Sequence, residues 1–265
     1  MKYFLILMVF ACDKLVSDIR RQQCGNCWAY SAIGVVESSY IRINNITNPA
    51  TVNLSEQQMV DCSGAGTCAG GYTHKVFDWL KNSGAKIMND ANAPDKGVDG
   101  PCPSTYVNSR VKVLDWGLVD PNGEINKIAP VDKIKEAICM YGPISVGIFA
   151  TPLLQNFGGN SVYFETASNY AHPEVNHLVV LVGWDDDKQA WLMRNSWGES
   201  WGDEGYGWIK YNTNNIGTYA TWALASKDVS RSVPMVSTPV KVTRPIPLNV
   251  DKNILEKKLN KTTIN

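Results

Sequence analysis

Gln23-Cys24-Gly25-Asn26-Cys27-Trp28-Ala29-Tyr30-Ser31-Ala32 is the stretch on which the reading of this 265-residue chain turns. Two cysteines stand three apart, and a long helix-compatible run follows. Apolar residues recur at Ala29, Ala32, Ile33, Val36, Tyr40 and Ile43, the spacing of a helix. The spacing predicts a helix from Cys27 to about Ile43. A cysteine at the start of a helix meets the positive end of the macrodipole and unpaired backbone N–H groups. Both lower its pKa and favour the thiolate, the nucleophilic form. A nucleophile here calls for a base, a group to orient that base, donors for an oxyanion, and a cleft. The competing use of Cys24 and Cys27 is a redox or metal pair. A redox pair wants a βαβ setting and a zinc site wants a second ligand pair at metal spacing; neither is evident in the sequence.

Length and composition narrow the rest. A chain of 265 residues can bury one sizeable core or two packed lobes. The formal net charge is zero and no long basic block occurs, so nucleic acid is not an implied partner. Nine Trp and eleven Tyr suit a cleft-bearing enzyme better than a linker. Residues 1–11 carry Lys2 and then the apolar run Tyr3–Ala11, too short to span a bilayer and expected to be a secretory signal. Stable membrane insertion is therefore not expected. Seven cysteines in a secreted chain suggest disulfides. Asn45-Ile46-Thr47 is a glycosylation sequon, compatible with secretion.

Several further motifs join the opening stretch. Cys24-Gly25-Asn26-Cys27-Trp28 resembles the active-site segment of papain-like cysteine proteases, the cathepsin family, with Asn26 where that family has Ser or Ala. Leu54-Ser55-Glu56-Gln57-Gln58-Met59-Val60-Asp61-Cys62 resembles a second signature and Cys68-Ala69-Gly70-Gly71-Tyr72 a third. Asn176-His177-Leu178-Val179-Val180 is similar to the family's histidine strand. His177 lies 150 positions after Cys27, within the separation of about 130–150 expected there. Asn195-Ser196-Trp197-Gly198 is similar to the last signature. Where the family often reads Tyr-Pro-Tyr, this chain has Ala93-Pro94-Asp95.

The resemblance implies an α+β fold of two lobes, the first helical and the second an antiparallel β-barrel, with the active-site cleft between them. It implies Cys27 as nucleophile, His177 as base, Asn195 as the residue orienting His177, and Trp197 as a shield over that contact. It assigns the oxyanion side chain to Gln22; counted strictly back from Cys27 the position holds Arg21, and a one-residue deletion passes the role to Gln22. Gly70, Gly71, Tyr72, Asn176, Leu178 and Trp197 are implied to contact substrate. Leu178, larger than the family's common Ala, implies a shallow pocket for modest aliphatic side chains. The resemblance pairs Cys24 with Cys68 and Cys62 with Cys102. Cys139, in the apolar segment Ile134–Met140, reads as a buried structural thiol. No metal or cofactor is called for.

The rest of the chain is read in order. Ser55 with Gln58 reads as a capping box for a short helix over 56–61. Val76–Leu80 is expected as a short helix ended by Gly84, with His74 a surface or capping histidine at its start. The segment 85–102 is expected as loop. Val131–Tyr141 is an amphipathic helix stopped by Gly142-Pro143, and strands are expected over 144–150, 177–183, 190–194, 205–211 and 221–225. Helices early and strands late fit an α+β protein. The catalytic domain is expected over 12–226, with a shortened N-terminus and no propeptide, and a partly disordered tail over 227–265.

The function so implied is that of a secreted or lysosomal cysteine endopeptidase acting on peptides and proteins through a Cys27–His177 thiolate–imidazolium pair and an acyl-enzyme. The chain is expected to be a monomer, and cystatin-like inhibitors are candidate partners. No histidine-bearing insertion of the kind that makes an exopeptidase stands between Cys68 and Cys102. The alternative is a secreted papain-fold binding or scaffold protein with little catalysis, motivated by the short N-terminus and the altered Gln22 region.

Overall fold

The computed structural model describes residues 16–105, 109–166 and 175–228. The signal expected over 1–11, Cys12, His172 and residues 229–265 of the expected tail lie outside them.

Helix α1 spans Cys27–Ile43, as its spacing predicts. It is not a surface helix with one apolar stripe. Every residue from Trp28 to Ser39 is buried, because other elements pack around it on all sides. Its polar residues are satisfied inside. Ser31 Oγ donates to Val179 O at 2.9 Å, Ser38 Oγ donates to Gly34 O at 2.7 Å, and Ser39 Oγ accepts from Ala225 N at 3.0 Å. Glu37, fully buried, accepts from Arg20 and from Leu54 N.

Helix α2 spans Glu56–Cys62 and α3 spans Thr73–Ser83. Ser55 Oγ caps α2 by accepting from Gln58 N at 3.0 Å. The return half of the capping box is absent: Gln58 instead donates to Lys86 O and accepts from Met88 N, tying α2 to the following loop. Gly84 ends α3 in the left-handed region at φ 63°, where glycine carries no Cβ penalty. Between α2 and α3 lies a two-residue ladder, β1 (Gly66–Thr67) with β2 (Gly70–Gly71). The expected loop over 85–102 holds one short 3₁₀ turn, Asp90–Asn92.

The second half is a seven-stranded sheet made of β3 (Val111–Leu118), β4 (Ile144–Ile148), β5 (Val162–Tyr163), β6 (His177–Asp185), β7 (Ala190–Arg194), β8 (Tyr206–Lys210) and β9 (Thr218–Lys227). Helix α4 (Val131–Tyr141) precedes β4, and the single turn α5 (Pro152–Gln155) follows it. The strand order is β3-β9-β4-β6-β7-β8-β5. All neighbours are antiparallel except the short β5–β8 pair. The expected antiparallel barrel lobe is a large mixed sheet that does not close among the described residues. Its ends, β3 and the two-residue β5, are not laddered to each other.

Strand β6 sits near the middle and is buried on both faces. Leu178 and Val180 point into one apolar cluster with α1, α3 and β3, while Val179 and Leu181 point into another with α4 and β7. A strand covered on both sides reads as a continuous apolar run rather than an alternation. This double packing fixes the start of β6, where His177 stands, against the start of α1, where Cys27 stands.

Candidate active site

Cys27 is the first residue of α1, partly buried, and the free cysteine among the described residues. Cys24 is bonded to Cys68 at 2.13 Å and Cys62 to Cys102 at 2.10 Å. The first bridge clamps the segment before α1 onto the loop that carries Gly70 and Gly71, and the second ties the end of α2 to the loop before β3. Cys139 is not a buried thiol: it is exposed on α4 and disulfide-bonded. Helical spacing put it in an apolar run, but it falls on the face turned to solvent.

His177 is the first residue of β6 and is 5% exposed. Its Nε2 lies 2.8 Å from Asn195 Oδ1. That oxygen also accepts from Ser196 N at 2.8 Å, so it is the carbonyl end of the amide. The network therefore assigns the ring proton to Nε2 and leaves Nδ1 as the basic nitrogen. Trp197 lies over the imidazole, with ring centroids 4.5 Å apart and planes at 21°, and Trp201 abuts Trp197 edge-on. Burial pushes His177 down to about 4, against the opposing pull of Asn195. Burial likewise pushes the Cys27 thiol up, opposed by backbone hydrogen bonds at Leu178, Trp28 and Cys27 itself. The helix-terminus argument predicted the reverse shift for Cys27; desolvation outweighs it.

Gln22 lines the same cleft as Cys27 and His177, and Arg21 does not. Gln22 Nε2 donates to Cys24 O at 2.8 Å and its Oε1 accepts from Ser196 Oγ at 2.7 Å. One Nε2 hydrogen remains uncommitted. Arg21 instead bridges to Trp197 through the backbone.

The cleft holds about 880 Å³ and is walled by residues 22–75 on one side and 150–219 on the other. Gly70, Gly71, Tyr72, Asn176, Leu178 and Trp197 all line it. Gly71 must lack a side chain, since a Cβ there would come within 2.6 Å of the Trp28 ring. The side chain of Asn176 is already engaged: its Oδ1 accepts from Ala150 N at 2.7 Å and its Nδ2 donates to Ala150 O at 3.0 Å.

Some cleft residues carried no signal in the sequence. His74 is not a surface cap. It lines the cleft, its ring parallel to Tyr219 at 6.5 Å and tilted against Tyr72 at 5.5 Å. Its neighbours Tyr219 and Trp116 come from β9 and β3, which nothing local to His74 announces. Arg20, outside the cleft, is a second unforeseen residue. It reaches Glu37 at 2.6 Å and Glu56 at 2.7 Å, joining the segment before Cys27 to α1 and α2.

Residues 11–226 match the profile of the papain family cysteine protease. The chain belongs to that family. As a papain-family member it is 35% identical over 207 residues to digestive cysteine proteinase 3 of Homarus americanus, covering 76% of this chain and 60% of that one. It is 33% identical to cathepsin L of Sarcophaga peregrina (76% and 57% covered) and 32% identical to human cathepsin O (77% and 60%). It thus spans about 60% of the length of such relatives. In structure it is similar to the bromelain protease of Ananas comosus solved with the E64 inhibitor, at TM-score 0.64 and 26% identity over 79% of this chain and 94% of that one. The α+β papain-like fold read from the motifs is the fold of this family member.

Proposed function

We propose that this chain is a cysteine endopeptidase that cleaves peptide bonds through Cys27. One observation carries the reading: Cys27, His177 and Gln22 line one cleft, with His177 held through Nε2 by Asn195 and covered by Trp197. The groups favour acyl transfer with a thiol nucleophile. Nδ1 of neutral His177 accepts the thiol proton as the Cys27 sulfur attacks the peptide carbonyl. The free hydrogen of Gln22 Nε2 and the Cys27 backbone N–H donate to the oxyanion. The imidazolium returns its proton to the leaving amine, and a thioester remains on Cys27. A water deprotonated by His177 then attacks the thioester, releasing the acid and restoring the thiol.

Both groups are biased by burial toward their neutral forms. Burial thus works against the thiolate–imidazolium pair that the resemblance implies, and backbone hydrogen bonds at Cys27 work for it.

Substrates are peptides and proteins entering an open cleft. Leu178, Tyr72 and Tyr219 wall one part of it, which suits modest aliphatic side chains. Epoxide inhibitors of the E64 kind and cystatin-like proteins are the inhibitors proposed, and a secreted or lysosomal compartment the location, for a monomeric enzyme. The test is turnover of an internally quenched peptide library by purified protein, with Cys27→Ala and His177→Ala alongside. Cleavage at internal bonds, lost in both variants, is expected. Failure of the folded, reduced protein to cleave any peptide would favour the scaffold reading, and strong preference for bulky aromatics would overturn the pocket assignment.

A further inference from the structure

Asp95 lies in the loop between α3 and β3, 68 positions from Cys27 in sequence, yet it is bonded to the segment that leads into α1. Its Oδ2 accepts from Gln23 N at 3.1 Å, Asn26 Nδ2 at 3.2 Å and Tyr30 Oη at 2.8 Å. Its Oδ1 accepts from Gly97 N at 3.0 Å. The loop itself is pinned to α2: Ser55 Oγ donates to Ala93 O at 2.6 Å, Lys96 N donates to Gln57 Oε1 at 2.7 Å, and Gln57 Nε2 donates to Val98 O at 2.9 Å.

Asn26 makes the arrangement unusual. It is the N-cap of α1 but makes no side-chain cap. An Asn at that position ordinarily accepts from an N–H of the first turn. Here the amide is fully buried, donates to Asp95, and leaves its own Oδ1 without a hydrogen-bond partner. A buried unpaired acceptor costs on the order of 1–3 kcal/mol, so the contact to Asp95 is made at the expense of a cap. The Tyr30 phenol is pushed up by burial, Glu56 and Asp95, which keeps it a donor to the carboxylate. Asn26 and Asp95 are also two of the positions where the chain departs from the motifs it otherwise resembles, and these two departures meet.

We propose that Asp95 is a positioning residue for the nucleophile segment: by holding Gln23, Asn26 and Tyr30 at once, it fixes the backbone from Gln22 to Cys27 and so aims the two oxyanion donors. It rests on the peptidase reading for its catalytic consequence, though not for the geometry. Misplacement by a fraction of an ångström suffices to matter, since a 1 Å error from a remote change can cost about 100-fold in rate.

The test compares Asp95→Ala and Asp95→Asn with the unaltered protein in three measurements. Peptide turnover reports the oxyanion donors. Alkylation of Cys27 by iodoacetamide displaces iodide at a saturated carbon and needs no oxyanion site, so it reports the thiol alone. Hydrogen exchange over residues 22–27 reports the segment directly. Expected for Asp95→Ala are kcat lower by about tenfold or more with KM within about threefold, alkylation slowed far less, and faster exchange over 22–27. Asp95→Asn, which keeps an acceptor oxygen, recovers part of the loss and remains informative if the alanine variant folds poorly. Unchanged kcat, or turnover and alkylation falling together with exchange unaltered, would overturn the proposal. If the unaltered protein alkylates but turns over no peptide, the peptidase reading falls, and unaltered exchange in the variants then overturns the positioning role separately.

Discussion

At the scale of single residues, His177 carries the most direct consequences. In the proposed mechanism its basic form accepts the thiol proton, and burial pushes it down to about 4. The acid limb of kcat/KM is therefore expected near pH 4, as a one-proton fall with decreasing pH. A fall centred near the ordinary histidine value of about 6.5 would contradict the burial argument. Stability follows the same shift. Between about 6.5 and 4 the unfolded chain takes up a proton that the folded chain refuses, so stability is lost as pH falls through that window, by up to about 3 kcal/mol. Thermal melts of the protein and of His177→Ala should diverge across that interval, the native chain losing more. Arg20 is the other decisive residue. Removing its guanidinium leaves Glu37 and Glu56 buried together without a cation, and Arg20→Ala is expected to cost about 3–5 kcal/mol in chemical denaturation. A loss under 1 kcal/mol would mean the pair is worth no more than a surface bridge. The proposed catalytic residues Cys27, His177 and Asn195 stood out in the sequence because each sits in a dense motif. Their protonation did not, because burial belongs to the packed molecule and Cys27 shows only a helix start to a reader of the chain.

At the scale of elements, legibility followed length and pattern. Helices α1 and α4 and strand β7 match their expected bounds, since each is a periodic or apolar run with a clear stop. Strand β3 escaped notice because its alternation breaks: the register shifts between Val113 and Asp115, leaving Leu114 exposed. Strands β1, β2 and β5 are two residues each, too short for any period. The β1–β2 ladder nevertheless shapes the cleft, because Gly71 lies against the Trp28 indole and opposite Gly66. Trp28 Nε1 donates to Thr67 O at 3.0 Å and holds the ladder to α1. Gly71→Ala forces a Cβ into that ring and is expected to destabilise by about 1–3 kcal/mol and to lower turnover. A variant as stable and active as the parent would show that the ladder can shift without consequence.

At the scale of the whole molecule, the cleft joins two halves of unlike construction, helices from the first part of the chain and a sheet from the second. The chain as a whole is neutral, but the cleft wall is not. Among the described residues its lining includes Lys75 and no Asp or Glu. Peptides with an acidic side chain on that wall should be turned over several-fold faster than their lysine counterparts, with the ratio shrinking as salt rises and shrinking again in Lys75→Gln. A preference for basic peptides would contradict it. This feature was hidden in the sequence, where His74 and Lys75 are two residues of an ordinary short helix and Tyr219 lies over a hundred positions away.

The central claim is that the sulfur of Cys27 is driven by His177 within one cleft. Intact-protein mass spectrometry after exposure to an epoxysuccinyl peptide tests it most directly. The account predicts one adduct per chain, mapped to Cys27, forming in the native protein and nearly abolished in His177→Ala. No adduct on Cys27 in folded, reduced protein, or adduct formation at the same rate without the imidazole, would contradict it.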